Sequence, residues 1–149
     1  MNYWFECKVS YSKQDDSGKI KKMSDIYLVD ALSFTEAEKR VTEEITPFAS
    51  SYENGIFTID GIKHVKIADI FAEDLECEKW FKCKVTYTSI DEVSAKEKKI
   101  TTVNLVHADD MEEAFKNLKD GLKDIISDCD IASMTETAIA DILHYTVPA

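Results

Sequence analysis

The sequence predicts an α+β protein made by tandem duplication of a β-β-α-β unit. Antiparallel sheet or sheets would be covered by two helices, with an approximate internal two-fold. Three observations lead there. The eight residues Trp4-Phe5-Glu6-Cys7-Lys8-Val9-Ser10-Tyr11 return as Trp80-Phe81-Lys82-Cys83-Lys84-Val85-Thr86-Tyr87, six of the eight identical. Each copy alternates apolar and polar side chains, the period of a strand with one buried face. Downstream of each copy, apolar residues recur every three or four positions, the stripe of one amphipathic helix. A repeat of this length sets the architecture before any single element does.

In chain order, Tyr3, Phe5, Cys7, Val9 and Tyr11 form one row of the first strand; Trp4, Glu6, Lys8 and Ser10 form the other. Residues 12–20 are polar and hold Gly18, as a hairpin turn requires. The return strand runs from about Lys21 to Ala31. Ser33 precedes Glu36 by three, the spacing of a capping box. Phe34, Ala37, Val41 and Ile45 make the apolar stripe, and Pro47 ends the helix. A third strand is expected from Ile56 to about Lys66, bent or bulged at Asp60-Gly61. Ile67-Ala68-Asp69-Ile70-Phe71 is a short apolar element whose type periodicity leaves open.

The cycle then repeats. Lys21-Lys22 return as Lys98-Lys99, one residue later than the first strands predict, so the hairpin region changed length by one. Asp110 caps a second helix carrying Met111, Ala114, Leu118 and Leu122 and expected to reach about Ile126. Ile131–Thr137 is its third strand, after a shorter connection, and Ile139-Ala140-Asp141-Ile142-Leu143 mirrors the first short element. The repeats span about 3–71 and 79–143. The linker near Ala72–Lys79 is too short and too poor in Gly and Pro for independent modules, so one compact domain over 1–149 is expected. Phe5, Cys7, Val9, Leu28, Ala37, Val41, Ile45 and their second-copy equivalents should form much of the core.

Composition narrows the classes. A chain of 149 residues, 44% hydrophobic and 10% aromatic, can bury its own core and is not a disordered polymer. It has no apolar run long enough to span a membrane and no signal-peptide pattern at its start, which points to the cytoplasm. A net charge of −11 disfavours general attraction to nucleic acid or anionic lipid. Cys7, Cys77, Cys83 and Cys129 form no CxxC pair and read as reduced structural thiols.

No chemical motif stands out. His64, His107 and His144 lack the close-spaced ligands of many zinc sites, and there is no GxSxG, phosphate loop or HExxH. Catalytic, cofactor and metal residues are therefore expected to be none, no small-molecule ligand is implied, and the chain reads as a non-enzyme. The one surface worth a functional reading is the outward row of the repeated strands and their hairpins: Trp4, Lys8, Lys22, Trp80, Lys84 and Lys99. Exposed Trp beside Lys is how several modules hold single-stranded nucleic acid, while a solvated Lys/Glu face is the plainer reading. A protein-interaction or self-association module is the favoured class. Single-stranded nucleic-acid binding and an acidic nucleic-acid mimic are the alternatives.

The repeated WFxCKVxY, the run YLVDALSFTEAE at 27–38, EEITPF at 43–48 and the IADIF and IADIL ends together carry a resemblance. The chain resembles a family of Bacteroidetes-type bacterial domains of unknown function, from Tyr3 to about Tyr145. Ala138 stands where the resemblance implies proline, which bears only on a local backbone restraint. The resemblance implies a bacterial, cytoplasmic single domain and brings no site residues with it.

Overall fold

The structure, a computed structural model, describes residues 3–72, 77–123 and 128–144. Its elements follow the expected order: β1 (Tyr3–Gln14), β2 (Ile20–Ala31), α1 (Phe34–Ile45), two 3-10 turns over Thr46–Ser51 and Glu53–Gly55, β3 (Phe57–Val65) and β4 (Asp69–Phe71). The second copy gives β5 (Lys79–Ile90), β6 (Glu97–Ala108), α2 (Met111–Leu122), β7 (Asp130–Glu136) and β8 (Ile139–Leu143). The short elements of unsettled type are strands. The last turn expected for α2, to Ile126, lies outside the described residues.

The strands form two four-stranded sheets, β3-β1-β2-β8 and β4-β6-β5-β7. In each, three strands are antiparallel, but the fourth runs parallel to its neighbour: β8 along β2, β4 along β6. The sheets are mixed, which corrects the expectation of purely antiparallel ones. The fourth strands are also exchanged. β4 follows β3 in the chain yet belongs with β5, β6, β7 and α2; β8 follows β7 yet belongs with β1, β2, β3 and α1. The compact units are accordingly residues 1–66 with 138–149, and residues 67–137, rather than the two sequence repeats.

Local chemistry explains the ends and turns. Ser33 accepts the Glu36 N–H at 3.1 Å and Asp110 accepts the Glu113 N–H at 2.8 Å, so each helix start is satisfied by its side-chain cap. In the first hairpin Asp15 Oδ1 accepts the N–H groups of Ser17 and Lys19, and Gly18 takes φ 85°. In the second, Asp91 Oδ1 accepts the Val93 N–H, and Ala95 takes the left-handed position at φ 55°. The turn between β5 and β6 (residues 91–96) is one residue longer than that between β1 and β2 (residues 15–19), which is where the repeat offset changes. Both third strands carry a bulge opposite the same step, Lys8/Val9 in one unit and Lys84/Val85 in the other; Asp60 and Ala132 are the extra residues.

Each helix covers one sheet face, and the two cores match position by position. Phe5, Cys7, Val9, Val29, Ala31, Ala37, Val41 and Ile45 fill one; Phe81, Cys83, Val85, Val106, Ala108, Ala114, Leu118 and Leu122 fill the other. Leu28 and Leu105 are fully buried as expected, but on the sheet face away from the helix, because their neighbours Val29 and Val106 take the helix side. Each pairs with a residue of the fourth strand, Leu28 with Ile142 and Leu105 with Ile70. Phe34 and Met111, expected in the buried stripe, are about half exposed because they sit at the first helical position, at the sheet margin.

The fourth strand of the second unit is keyed to its helix by a missing side chain. A Cβ on Gly121 would lie 2.5 Å from Cδ1 of Phe71. Gly121→Ala should therefore cost about 1–3 kcal/mol by overpacking, and Phe71→Leu in the same chain should return part of it; chemical denaturation of the three variants checks this. Ala95 stands at the hairpin position where the first unit has glycine. Ala95→Gly should stabilise by about 0.5–1 kcal/mol, and an unchanged denaturation midpoint would rule out strain at that turn.

Candidate functional site

Strand alternation places the expected binding residues on the sheet face away from the helix: Trp4, Lys8 and Lys22 in one unit, Trp80, Lys84 and Lys99 in the other. The four lysines are exposed. The tryptophans are not the free platforms that the sequence suggests. Trp80 is only 7% exposed, and its ring lies flat on His107, 4.3 Å between centroids at 6°. Trp4 is half-buried with its ring edge-on to His144 at 5.5 Å. The two rings also differ in their cross-strand partner. Trp80 pairs with His107, whereas Trp4 pairs with Asp30, which has no ring to stack. The expected exposure of both rings is thus corrected. His107, expected at the surface, is half-buried, and its Nδ1 makes no hydrogen bond among the described residues.

Near the lysines of the first unit lies a polar row. Ser10 donates to Asp60, Thr58 donates to the other Asp60 oxygen at 2.8 Å, and Ser24 lies 3.3 Å from Ser10. These hydrogen bonds, from Ser10 first and Thr58 next, hold the Asp60 carboxyl below the usual carboxylate range, with Lys8 and Lys22 adding to the effect. The second unit has Ala132 at the bulge and retains only the Thr86–Thr101 hydroxyl contact at 3.2 Å.

The two units differ most where each helix begins. In the first, a chain of rings reaches the surface: Tyr3 meets His64 at 5.3 Å, His64 meets Phe5 at 5.2 Å, and Phe5 meets Phe34 at 4.9 Å. Phe5 is buried, but Tyr3 is 46%, Phe34 53% and the adjacent Leu32 55% exposed. In the second unit the corresponding positions are charged or smaller. Lys79 and Glu136 form an ion pair at 3.6 Å where Tyr3 and His64 stack, Asp109 replaces Leu32, and Met111 replaces Phe34.

Beside that ion pair is a cluster that sequence spacing does not reveal. Cys77 Sγ donates to Glu113 Oε1 at 3.1 Å, and the Glu78 N–H donates to Asp109 Oδ1 at 3.1 Å. One donor atom each from Cys77, Asp109 and Glu113 lies within 4.8 Å of the others. Cys77 is buried, Glu113 partly so and Asp109 exposed. A sulfur and two oxygens make three donors, one short of the four-ligand shell usual in structural zinc sites. The three residues come from two distant stretches, so only the fold brings them together.

A further cluster lies over the first sheet only. Tyr11 donates to Asp25 at 2.7 Å and stacks on Tyr52 at 4.1 Å, with Phe57 edge-on to Tyr52. Burial, then the Asp25 charge, pushes the Tyr27 hydroxyl up to about 12; burial and the hydrogen bond to Asp25 push Tyr11 up as well. Tyr52 belongs to the 3-10 connection between α1 and β3, where the second unit has a shorter connection. There Asn104 stands for Tyr27, buried, with its carbonyl oxygen making no hydrogen bond among the described residues.

The chain belongs to DUF4494, a domain of unknown function. The match runs over residues 3–145, both units and both exchanged strands. No curated protein and no solved structure matches the chain. Among the described residues, no helix is long and apolar enough to cross a membrane.

The repeated cysteines are interior groups. Cys7 and Cys83 are fully buried, and burial pushes each thiol up to about 11, with the Glu6 charge adding to it at Cys7. Both stay neutral at physiological pH, so a thiol reagent should label half-buried Cys129 in the native protein and reach Cys7 and Cys83 only on unfolding. Because their folded pKa is raised, the stabilisation is complete below the ordinary value near 9 and is lost as pH climbs towards 11. The unfolding free energy from chemical denaturation should fall over that window by at most about 1.4 kcal/mol per pH unit per thiol, and a flat profile would contradict the burial.

Proposed function

We propose that the chain is a non-enzymatic protein-interaction module acting in the bacterial cytoplasm, and that it engages a second polypeptide through the aromatic patch of the first unit. The observation that carries this is the contrast between matched positions. The buried cores of the two units correspond position for position, identical except that Leu118 and Leu122 stand for Val41 and Ile45, while the start of α1 exposes Tyr3, Leu32, Phe34 and His64 against Lys79, Asp109, Met111 and Glu136 in the second unit. The second unit folds the same architecture with charged residues there, so the rings are not required by the fold. Exposed large apolar side chains in one contiguous group are characteristic of binding surfaces, and such interfaces favour aromatic anchors. The expected occupant is a protein segment presenting apolar side chains to these rings.

Single-stranded nucleic acid is the weaker reading. The lysines are in place, but one ring face of Trp80 is already covered by His107. The mimic reading finds little support in α1, where Lys39 and Arg40 interrupt the acids and Lys39 reaches Glu43 at 4.0 Å.

A photo-crosslinking side chain placed at position 34 or at position 111 of the full chain separates these readings. In the native host, position 34 should give a discrete protein adduct that Leu32→Ser reduces at least tenfold, while position 111 should not. Equal adduct patterns at the two positions, or none at 34, would overturn the patch as the interface.

A further inference from the structure

The exchanged strands carry an inference about self-recognition, independent of the aromatic patch. Three residues (66–68) join β3 to β4, and two (137–138) join β7 to β8. For a repeat to complete its own sheet, its last strand would have to cross to the far side of β2 or β6, about 14 Å sideways at the usual strand spacing. It would also have to enter parallel to the strand it had just left, a crossover that needs a dozen or more residues. Neither connection allows this, so each fourth position is filled only by a strand from the other repeat. The rule constrains which repeat donates the strand, not which molecule it comes from.

We propose that the chain forms a reciprocal dimer with a second copy of itself, in which β8 of one molecule completes the β3-β1-β2 sheet of the other and the reverse. The geometry favours β8 as the mobile strand. It is a five-residue edge strand, held to β2 at Ile26–Val29. Its base is fixed, because Thr137 donates both its N–H, at 2.9 Å, and its hydroxyl, at 2.8 Å, to the Trp80 carbonyl. Ala138 is therefore the hinge. Every pairing within the completed sheet, including Leu28 with Ile142 and Val29 with Leu143, is the same in the closed monomer and the exchanged dimer. The balance is then set by hinge strain and protein concentration, as in domain swapping generally.

Refolding the full chain at roughly 1 mM rather than roughly 10 µM should raise the dimer fraction at least tenfold by light scattering, and the dimer should persist on dilution. The pair Val29→Cys with Leu143→Cys, at directly facing positions, reports the connectivity. Oxidised dimer should run as a covalent dimer on a non-reducing denaturing gel, and oxidised monomer as an internally closed single chain. A dimer fraction holding only internal bridges, or no dimer at any concentration, overturns the proposal. Should the double variant fail to fold, tagged and untagged natural chains serve instead. Hybrids should form on co-refolding and not on mixing the folded proteins, and hybrids that form equally in both cases would point to ordinary docking.

Discussion

The structure depends on the length of two connections. A β-β-α-β unit leaves one edge of its central hairpin open, and the strand that follows is too tightly tethered to reach it. Each repeat therefore lends its last strand away and receives one in return. This makes the fourth strand parallel, because it arrives from another repeat rather than by a hairpin. It also accounts for the near-identity of Ile67-Ala68-Asp69-Ile70-Phe71 and Ile139-Ala140-Asp141-Ile142-Leu143, since each must fit an almost equivalent slot beside Leu105 or Leu28. The Gly121–Phe71 fit shows how closely one of those slots is shaped, because the helix carries no side chain where the ring lies.

Much of this was legible in the sequence where a residue's chemistry acts locally. The alternation in Phe5, Cys7 and Val9, the caps Ser33 and Asp110, and the bulge at Asp60-Gly61 depend on neighbours a few positions away, and each lies where its pattern predicts. Periodicity also marked Leu28 as buried but not the side it faces, since both faces of β2 are covered at that point and a run such as Tyr27-Leu28-Val29 satisfies either choice. The exchange of strands was not legible. Nothing in Ile139 to Leu143 specifies which edge it joins; that follows only once the strand order shows that its own repeat is out of reach.

The candidate surfaces were partly legible for a similar reason. Strand parity puts Trp4, Lys8, Lys22, Trp80, Lys84 and Lys99 on the faces away from the helices, but parity does not tell whether a ring there is covered. One face of the Trp80 ring is covered by His107, the residue across the ladder, a pairing set by register between positions some 27 residues apart in sequence. Cys77, Asp109 and Glu113 met for the same kind of reason, the linker before β5 passing the start of α2. The aromatic patch is subtler. Tyr3 and Phe34 share the periodicity of the buried rows, yet both sit where the sheet and helix begin and are about half exposed.

Duplication gives a physical basis for looking for function at the mismatches. Two units under the same folding requirement retain the interior that the requirement selects: Cys7 and Cys83 fit the same small apolar space, as do Ala37 and Ala114 under their strands. Positions that packing does not constrain are free to differ, singly as at Glu6 and Lys82, and in one place as a group. Tyr3, Leu32, Phe34 and His64 differ together from their counterparts; elsewhere Tyr27 is replaced by Asn104, and Tyr52 belongs to the longer connection of the first unit, while Tyr11 is retained as Tyr87. Random surface drift would scatter such changes. Changes that assemble one continuous chain of rings at the start of one helix, while the other unit keeps an equivalent fold without it, are the ground on which we propose that a partner binds there.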